Sequence, residues 1–205
     1  MGHQTNPLEK KRVGIVVFDE VEVLDFAGPF EVFAITEDER KAKLFQVSLL
    51  GTQPGSVKAR NGLTVVPDRL YNEAGPLDVL VVPGGYGAEK ITILDRPFLA
   101  WLAAQRHQVP LVASVCTGAF LLAEAGLLDG LRATTHHLDF DEFEARWPRI
   151  TLVRDKKWVD EGPIVSSGGI SSGIDMALHL VARLEGQEAA DRTAERMEYR
   201  WQKVP

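Results

Sequence analysis

Ser114-Val115-Cys116-Thr117-Gly118-Ala119-Phe120 joins two segments of opposite character. Residues 110–115 (PLVASV) form a short apolar run with the composition of a buried strand, whereas residues 119–125 (AFLLAEA) favour helix. Between them Cys116-Thr117-Gly118 must turn sharply, and a small residue two positions after the cysteine lets such a turn close. The segment therefore reads as strand, nucleophile elbow and helix. A thiol at the first turn of a helix faces the positive end of the helix dipole, which favours the thiolate. Cys116 is the only cysteine in 205 residues. A free cysteine is often no more than a small buried hydrophobe; its place at an elbow is what points to chemistry.

The same alternation extends in both directions. Residues 13–18 (VGIVVF), 44–50 (LFQVSLL), 78–82 (DVLVV) and 163–167 (PIVSS) read as buried strands, with a short one at 63–66. Helices are expected from Gly28-Pro29 through residue 35 with proline in the first turn, over 96–106, after the elbow as far as Gly126, over 139–147, over 170–184 and over 187–200. Residues 132–135 read as extended, and 151–153 with 157–159 as a small antiparallel excursion. Buried strands alternating with helices predict an α/β domain, doubly wound, with a mostly parallel sheet flanked by helices in the flavodoxin-like manner. In such sheets ligands bind beyond the carboxyl ends of the strands. Asp25, Gly84-Gly85 and Cys116 all follow such ends.

Hydrophobic residues make up 45% and charged residues 25% of the chain, as expected of a soluble globular protein. A net charge of −6 argues against nucleic acid as a partner and gives no attraction to an anionic membrane. No apolar run approaches membrane-spanning length, and 13–18 is too short for a signal peptide. A lone cysteine can form neither an internal disulfide nor a cysteine-rich zinc site, and it suits a reducing cytoplasm. Residues 1–10 read as a disordered extension, and 11–205 as a single domain.

Asp25 sits between Leu24 and Phe26. A carboxyl in such a setting can stay protonated and donate a hydrogen bond, or ionise and act as a base. It also stands where an aspartate caps a helix opening at Pro29. Thr117 can orient water or a polar substrate, or cap the following helix. His136 is a candidate pocket residue. His107 and His179 lie in helical segments without an evident partner. No group of residues has metal-ligand spacing, so no metal is expected. The glycines match neither GxGxxG nor a P-loop, so no nucleotide cofactor is expected.

Residues 21–32 (VEVLDFAGPFEV), 81–87 (VVPGGYG), 114–130 (SVCTGAFLLAEAGLLDG), 132–137 (RATTHH) and 166–178 (SSGGISSGIDMAL) together resemble the ThiJ/PfpI superfamily. They are most similar to its branch of isonitrile hydratases and amidase-like domains of AraC-type regulators. The resemblance spans about residues 13–197. It implies a class I glutamine amidotransferase-like fold, with Cys116 as nucleophile, Asp25 as the acidic residue beside it and Thr117 in the branch's Asp-Cys-Thr set. It further implies an oxyanion-hole-like pair of N–H groups at Gly85 and Thr117, flanked by Gly84. By the same resemblance Gly169 and Ile170 are expected to line the other side, His136 to approach the cysteine, and the chain to form a homodimer. The implied activity is hydration of an isonitrile to an N-substituted formamide, without a cofactor, either by covalent addition of Cys116 or by water that Asp25 activates while Cys116 relays a proton. A glyoxalase or amidase activity, or a cysteine redox sensor or ligand-binding module, are the alternatives. Threonine in place of the histidine that protease-like members carry after the cysteine counts against peptide hydrolysis.

Overall fold

The computed structural model describes residues 10–204. The expected extension over 1–10 lies outside them apart from Lys10. Strand β1 (Lys11–Val17) leads into helix α1 (Val23–Ile35) and strand β2 (Phe45–Gly51). Three short strands follow, β3 (Val57–Lys58), β4 (Thr64–Val65) and β5 (Arg69–Leu70), and then β6 (Val79–Val82), α2 (Tyr86–Lys90), α3 (Arg96–Gln108), β7 (Leu111–Val115) and α4 (Gly118–Glu124). Next come β8 (Arg132–Ala133), α5 (Phe140–Arg146), β9 (Thr151–Leu152), β10 (Trp158–Asp160), β11 (Ile164–Ser167), α6 (Ser172–Glu185) and α7 (Gln187–Arg196).

Seven strands form one sheet in the order β10-β11-β7-β6-β1-β2-β5. Every pairing in it is parallel except that of edge strand β10 with β11. Each residue of β6 and β7 is buried, as in a sheet covered on both faces. The chain steps from β1 to β2 in one direction, and from β6 to β7 to β11 in the other. Right-handed crossovers then place α1 on one face and α3 and α4 on the opposite one. Helix α6 packs against α1 and α7, and α4 against α2 and α3. The direction reverses between β1 and β6, so the crevice beyond their carboxyl ends is the switch point at which such folds bind ligands.

Three expectations need correction. Helix α1 begins at Val23, so Pro29 is inside it rather than in its first turn. Asp25, Phe26, Pro29, Val32 and Phe33 are all buried, and packing of this apolar face outweighs the intrahelical hydrogen bond that proline forgoes. The presumed excursion at 151–159 is not a hairpin. Strand β9 pairs in parallel with β8, whereas β10 joins the main sheet as its antiparallel edge. Helix α6 starts at Ser172, because Ile170 has φ 51° and turns the chain before it. By contrast, α3 starts as its sequence suggests. Asp95 Oδ1 accepts the Phe98 N–H at 3.1 Å, and Pro97 occupies the first turn.

The elbow and the loop after β6 meet backbone to backbone. A Cβ on Gly118 would fall onto the Val82 carbonyl oxygen and against Pro83. Because the obstacle is backbone on a central strand, it has no easy way to yield. Gly118→Ala is expected to cost about 1–3 kcal/mol of stability, read as a lower urea midpoint at unchanged slope. A variant as stable as the wild type would show that this approach is looser than described.

Candidate active site

Cys116 has φ 56°, in the left-handed region that a side chain enters at a cost of order 1–3 kcal/mol. Its surroundings hold it there. The Cys116 N–H is shared between the carbonyls of Ser167 and Gly168, each at 3.1 Å. Its own carbonyl accepts the Thr135 hydroxyl at 2.9 Å. The end of β11 and the segment after β8 thus both pin the elbow. The residue is 6% exposed and lines a cavity of about 230 Å³.

Asp25 is in the first turn of α1 and completely buried. It does not cap the helix; its Oδ2 reaches across to accept the Gly84 N–H at 3.1 Å. Oδ1 has no hydrogen-bond partner within ordinary geometry. Burial pushes the carboxyl up to about 7, against the Gly84 N–H, which favours the anion. The negative charge of Glu22 raises it further, while the Cys116 thiol and the Ile170 N–H pull it down. Near neutral pH this acid is therefore poised between its two forms.

The same environment acts on the thiol. Burial pushes Cys116 up, and the charge of Asp25 adds to the effect; the Thr117 N–H opposes them. The thiolate expected from the helix dipole is thus not favoured. Helix α4 has only seven residues, and its dipole is outweighed by desolvation and a neighbouring acid. The sulfur is a protonated thiol beside a carboxyl that can take or give a proton.

Thr117 precedes α4 but makes no side-chain cap. Its Oγ1 instead accepts the Gly85 N–H at 3.0 Å. One of the two N–H groups expected to face an oxyanion is therefore engaged by Thr117, whereas the Thr117 N–H is directed at the sulfur. His136 lines the cavity, its Nδ1 3.1 Å from Asp139 Oδ2. Gly169 lies directly beneath the imidazole, where a Cβ would overlap the ring. His179, expected to lack a partner, is 2.7 Å from Asp160 across to the edge strand, well away from this pocket.

Of the residues anticipated from the sequence, Cys116, Gly85, His136 and Ile170 line the cavity. Asp25, Thr117, Gly84 and Gly169 support it from behind. The lining also includes Glu22, Arg60, Tyr86, Glu89, Leu138 and Asp139, which sequence reasoning missed. Tyr86 and Glu89 belong to α2, a single turn after Gly84-Gly85, and Leu138 and Asp139 follow His136, so chain adjacency could have suggested these four. Arg60 arrives from the connection between β3 and β4, with its Nε 3.5 Å from Glu22, and no local signal marks it. Burial and the charge of Asp139 push Glu89 upward. Among the described residues no cluster could hold a metal ion, and no helix is long and apolar enough to cross a membrane.

The DJ-1/PfpI family model matches residues 11–183. The chain belongs to the DJ-1/PfpI family. Among curated relatives, isonitrile hydratase from Pseudomonas putida is 34% identical over 189 residues, covering 92% of this chain and 78% of that protein. The HTH-type transcriptional regulator GbdR of Pseudomonas aeruginosa is 28% identical over 187 residues, which span 91% of this chain but half of the regulator. A ThiJ/PfpI family protein from Pseudomonas syringae superposes with a TM-score of 0.82 at 25% identity, over 97% of this chain and 80% of that one. Drosophila melanogaster DJ-1beta shares the fold, with a TM-score of 0.82 at 20% identity, over 94% of this chain and all of that one. The relatives thus include both an isonitrile hydratase and an HTH-type transcriptional regulator.

The Asp25 environment has a measurable consequence for folding. Its folded value, near 7, exceeds the ordinary 3.8, so the native state binds the extra proton. The stability this provides is complete below about pH 4 and is lost as pH rises through 7, a swing of roughly 4 kcal/mol. Asp25→Asn keeps an acceptor for Gly84 but cannot ionise. It should melt higher than the wild type at pH 8 and lack the wild type's decline between pH 4 and 7. Parallel melting curves for the two proteins across that range would refute the assignment.

Proposed function

We propose that the protein is a small-molecule hydratase that converts an isonitrile and water to an N-substituted formamide. The observation that carries this reading is the buried Asp25 carboxyl, poised near 7 with one oxygen unpartnered, next to an elbow thiol that stays protonated. Isonitriles are electron-rich at their terminal carbon. They need a proton there before a nucleophile adds, so an acid that is half charged at neutral pH suits them. Support also comes from the similarity to the P. putida isonitrile hydratase.

In the first half of the reaction Asp25 gives its proton to the isonitrile carbon. The Cys116 sulfur bonds to that carbon, and the thiol proton returns to Asp25. The product is a thioformimidate, R–N=CH–S–Cys116, with Asp25 back in its starting form. Water then adds to the same carbon, and the electron pair of C=N moves to nitrogen, which is protonated. Collapse of this tetrahedral adduct breaks the C–S bond, releases R–NH–CHO, and returns the hydroxyl proton to sulfur through Asp25. Both protons of water are accounted for, one on nitrogen and one on sulfur. Thr117 fixes the loop that carries Gly85 and aims its own N–H at the sulfur.

A ligand-binding module is the second reading, favoured by one feature. The unmodified thiol is held protonated and nearly covered, which suits a binding wall as well as a nucleophile. The P. aeruginosa regulator relative is consistent with it.

Incubation with an alkyl isonitrile should yield the corresponding formamide, quantified by mass spectrometry. Cys116→Ala should reduce kcat/KM by at least about 10³-fold and Asp25→Asn by about 10²-fold or more. Wild-type kcat/KM should fall as pH rises through 7, because the acidic form of Asp25 is required. Full turnover by Cys116→Ala would eliminate the covalent route, and saturable binding without turnover would favour the module.

A further inference from the structure

We propose that Asp139 is a positioning residue that holds His136 as the proton carrier for the water-addition half of the reaction. This inference rests on the hydratase reading for its chemistry, but the pairing itself stands on geometry. His136 precedes and Asp139 ends a single 3₁₀ turn, closed by the Asp139 N–H donating to the His136 carbonyl at 3.0 Å. The same turn brings Asp139 Oδ2 to within 3.1 Å of His136 Nδ1. An ionised carboxylate only accepts, so in the neutral ring Nδ1 carries the hydrogen and Nε2 keeps its lone pair. Both residues line the cavity that holds Cys116. Thr135, the preceding residue, donates to the Cys116 carbonyl at 2.9 Å, which ties this turn to the elbow. Beneath the ring, Gly169 leaves the space that its Cδ2–Nε2 edge occupies.

The arrangement supplies what Asp25 does not. Asp25 and the sulfur exchange a proton, whereas water must approach the thioformimidate carbon from the open side. As the water oxygen bonds to carbon, Nε2 accepts one of its protons. The C=N pair moves onto nitrogen, and that nitrogen takes the proton from Nε2, which leaves the ring neutral again. The anionic Asp139 stabilises the imidazolium formed in between. Its charge also reaches the sulfur, whose proton it helps retain until substrate arrives.

Two measurements test the pair separately from the hydratase reading. The first needs no substrate. In the nitrogen-15 NMR spectrum of histidine-labelled protein at a pH where the ring is neutral, His136 should be the Nδ1–H tautomer. Asp139→Ala should return it to the Nε2–H tautomer that free histidine favours. An Nε2–H tautomer in the wild type overturns the proposal. The second is kinetic. Asp139→Asn should lower kcat for an alkyl isonitrile by about 10-fold or more while KM stays within about twofold, and Asp139→Glu should recover part of the loss. Adding Asp139→Asn to His136→Gln should cost little more than His136→Gln alone, since the two act as a unit. Unchanged kcat in Asp139→Asn, or fully additive losses, overturns the proposal. If the wild type does not hydrate isonitriles, the hydratase reading fails and with it the proton-carrier role, while the tautomer measurement still decides whether Asp139 positions His136.

Discussion

The bond from the Gly84 N–H to Asp25 Oδ2 joins helix α1 to the loop after β6 across the switch point of the sheet. Much of the site's character follows from it. It occupies one oxygen of a fully buried acid and leaves the other to face Cys116 and Ile170. One N–H is too little to stabilise a carboxylate out of water, where an unpaired charge is costly. The acid is left near neutrality as a result. A second donor on Oδ1 would drive its pKa down and freeze it as an anion, whereas loss of Gly84 would lock it as a neutral acid. The Gly84 bond is the largest of the pulls that oppose burial, with Cys116 and Ile170 adding smaller ones.

This balance depends on backbone placed with little room for error. The loop at 83–85 is held from one side by the Glu22 N–H on the Gly84 carbonyl, and from the other by the Gly85 N–H on Thr117 Oγ1. The elbow is held by β11 and by Thr135. Three strand ends, those of β1, β6 and β7, thus present their loops to each other through hydrogen bonds. Rigid parallel strands buried on both faces make such short loops reproducible, and the strain at Cys116 persists only because its neighbours over-determine it. Farther out, the buried Asp175 in the first turn of α6 accepts from Lys157 Nζ at 2.6 Å and from the Gln202 N–H at 2.9 Å. Those contacts fasten the helix that follows the Gly168–Ile170 loop.

The parts of this design legible in sequence are those encoded by local composition. Continuous apolar runs disclosed the central strands because burial on both faces leaves no polar alternation. The elbow was legible from Cys116 and Gly118 because a sharp turn between strand and helix restricts residue type. The start of α1 was not, since Pro29 is a strong local signal for a helix opening and the apolar packing that overrides it is tertiary. The partners of β9 and β10 were hidden for the same reason: two- and three-residue strands hold too few side chains to show a period. At the site, Asp25, Cys116 and Thr117 could be nominated individually, but not that Oδ1 would lack a partner. Arg60 was invisible because it reaches the cavity from a connection too short to announce itself.

The protonation of the thiol is the point at which local reasoning and the folded molecule diverge most, and the divergence bears on mechanism. Position at a helix start argues for a thiolate, as in enzymes whose cysteine attacks an electrophile directly. Here burial and a nearby acid reverse that preference. A free thiolate would be an exposed liability to oxidants, whereas a protonated thiol reacts only when its proton has somewhere to go. In the proposed reaction Asp25 receives that proton while passing its own to the substrate, without a net change of charge beside the sulfur. Such an exchange favours substrates that must gain a proton at the atom they present to sulfur. It disfavours those, such as peptides, whose electrophilic carbon needs a ready-made anion. The selectivity of the site would then lie less in the shape of its cavity than in this requirement that proton and sulfur arrive at the same carbon.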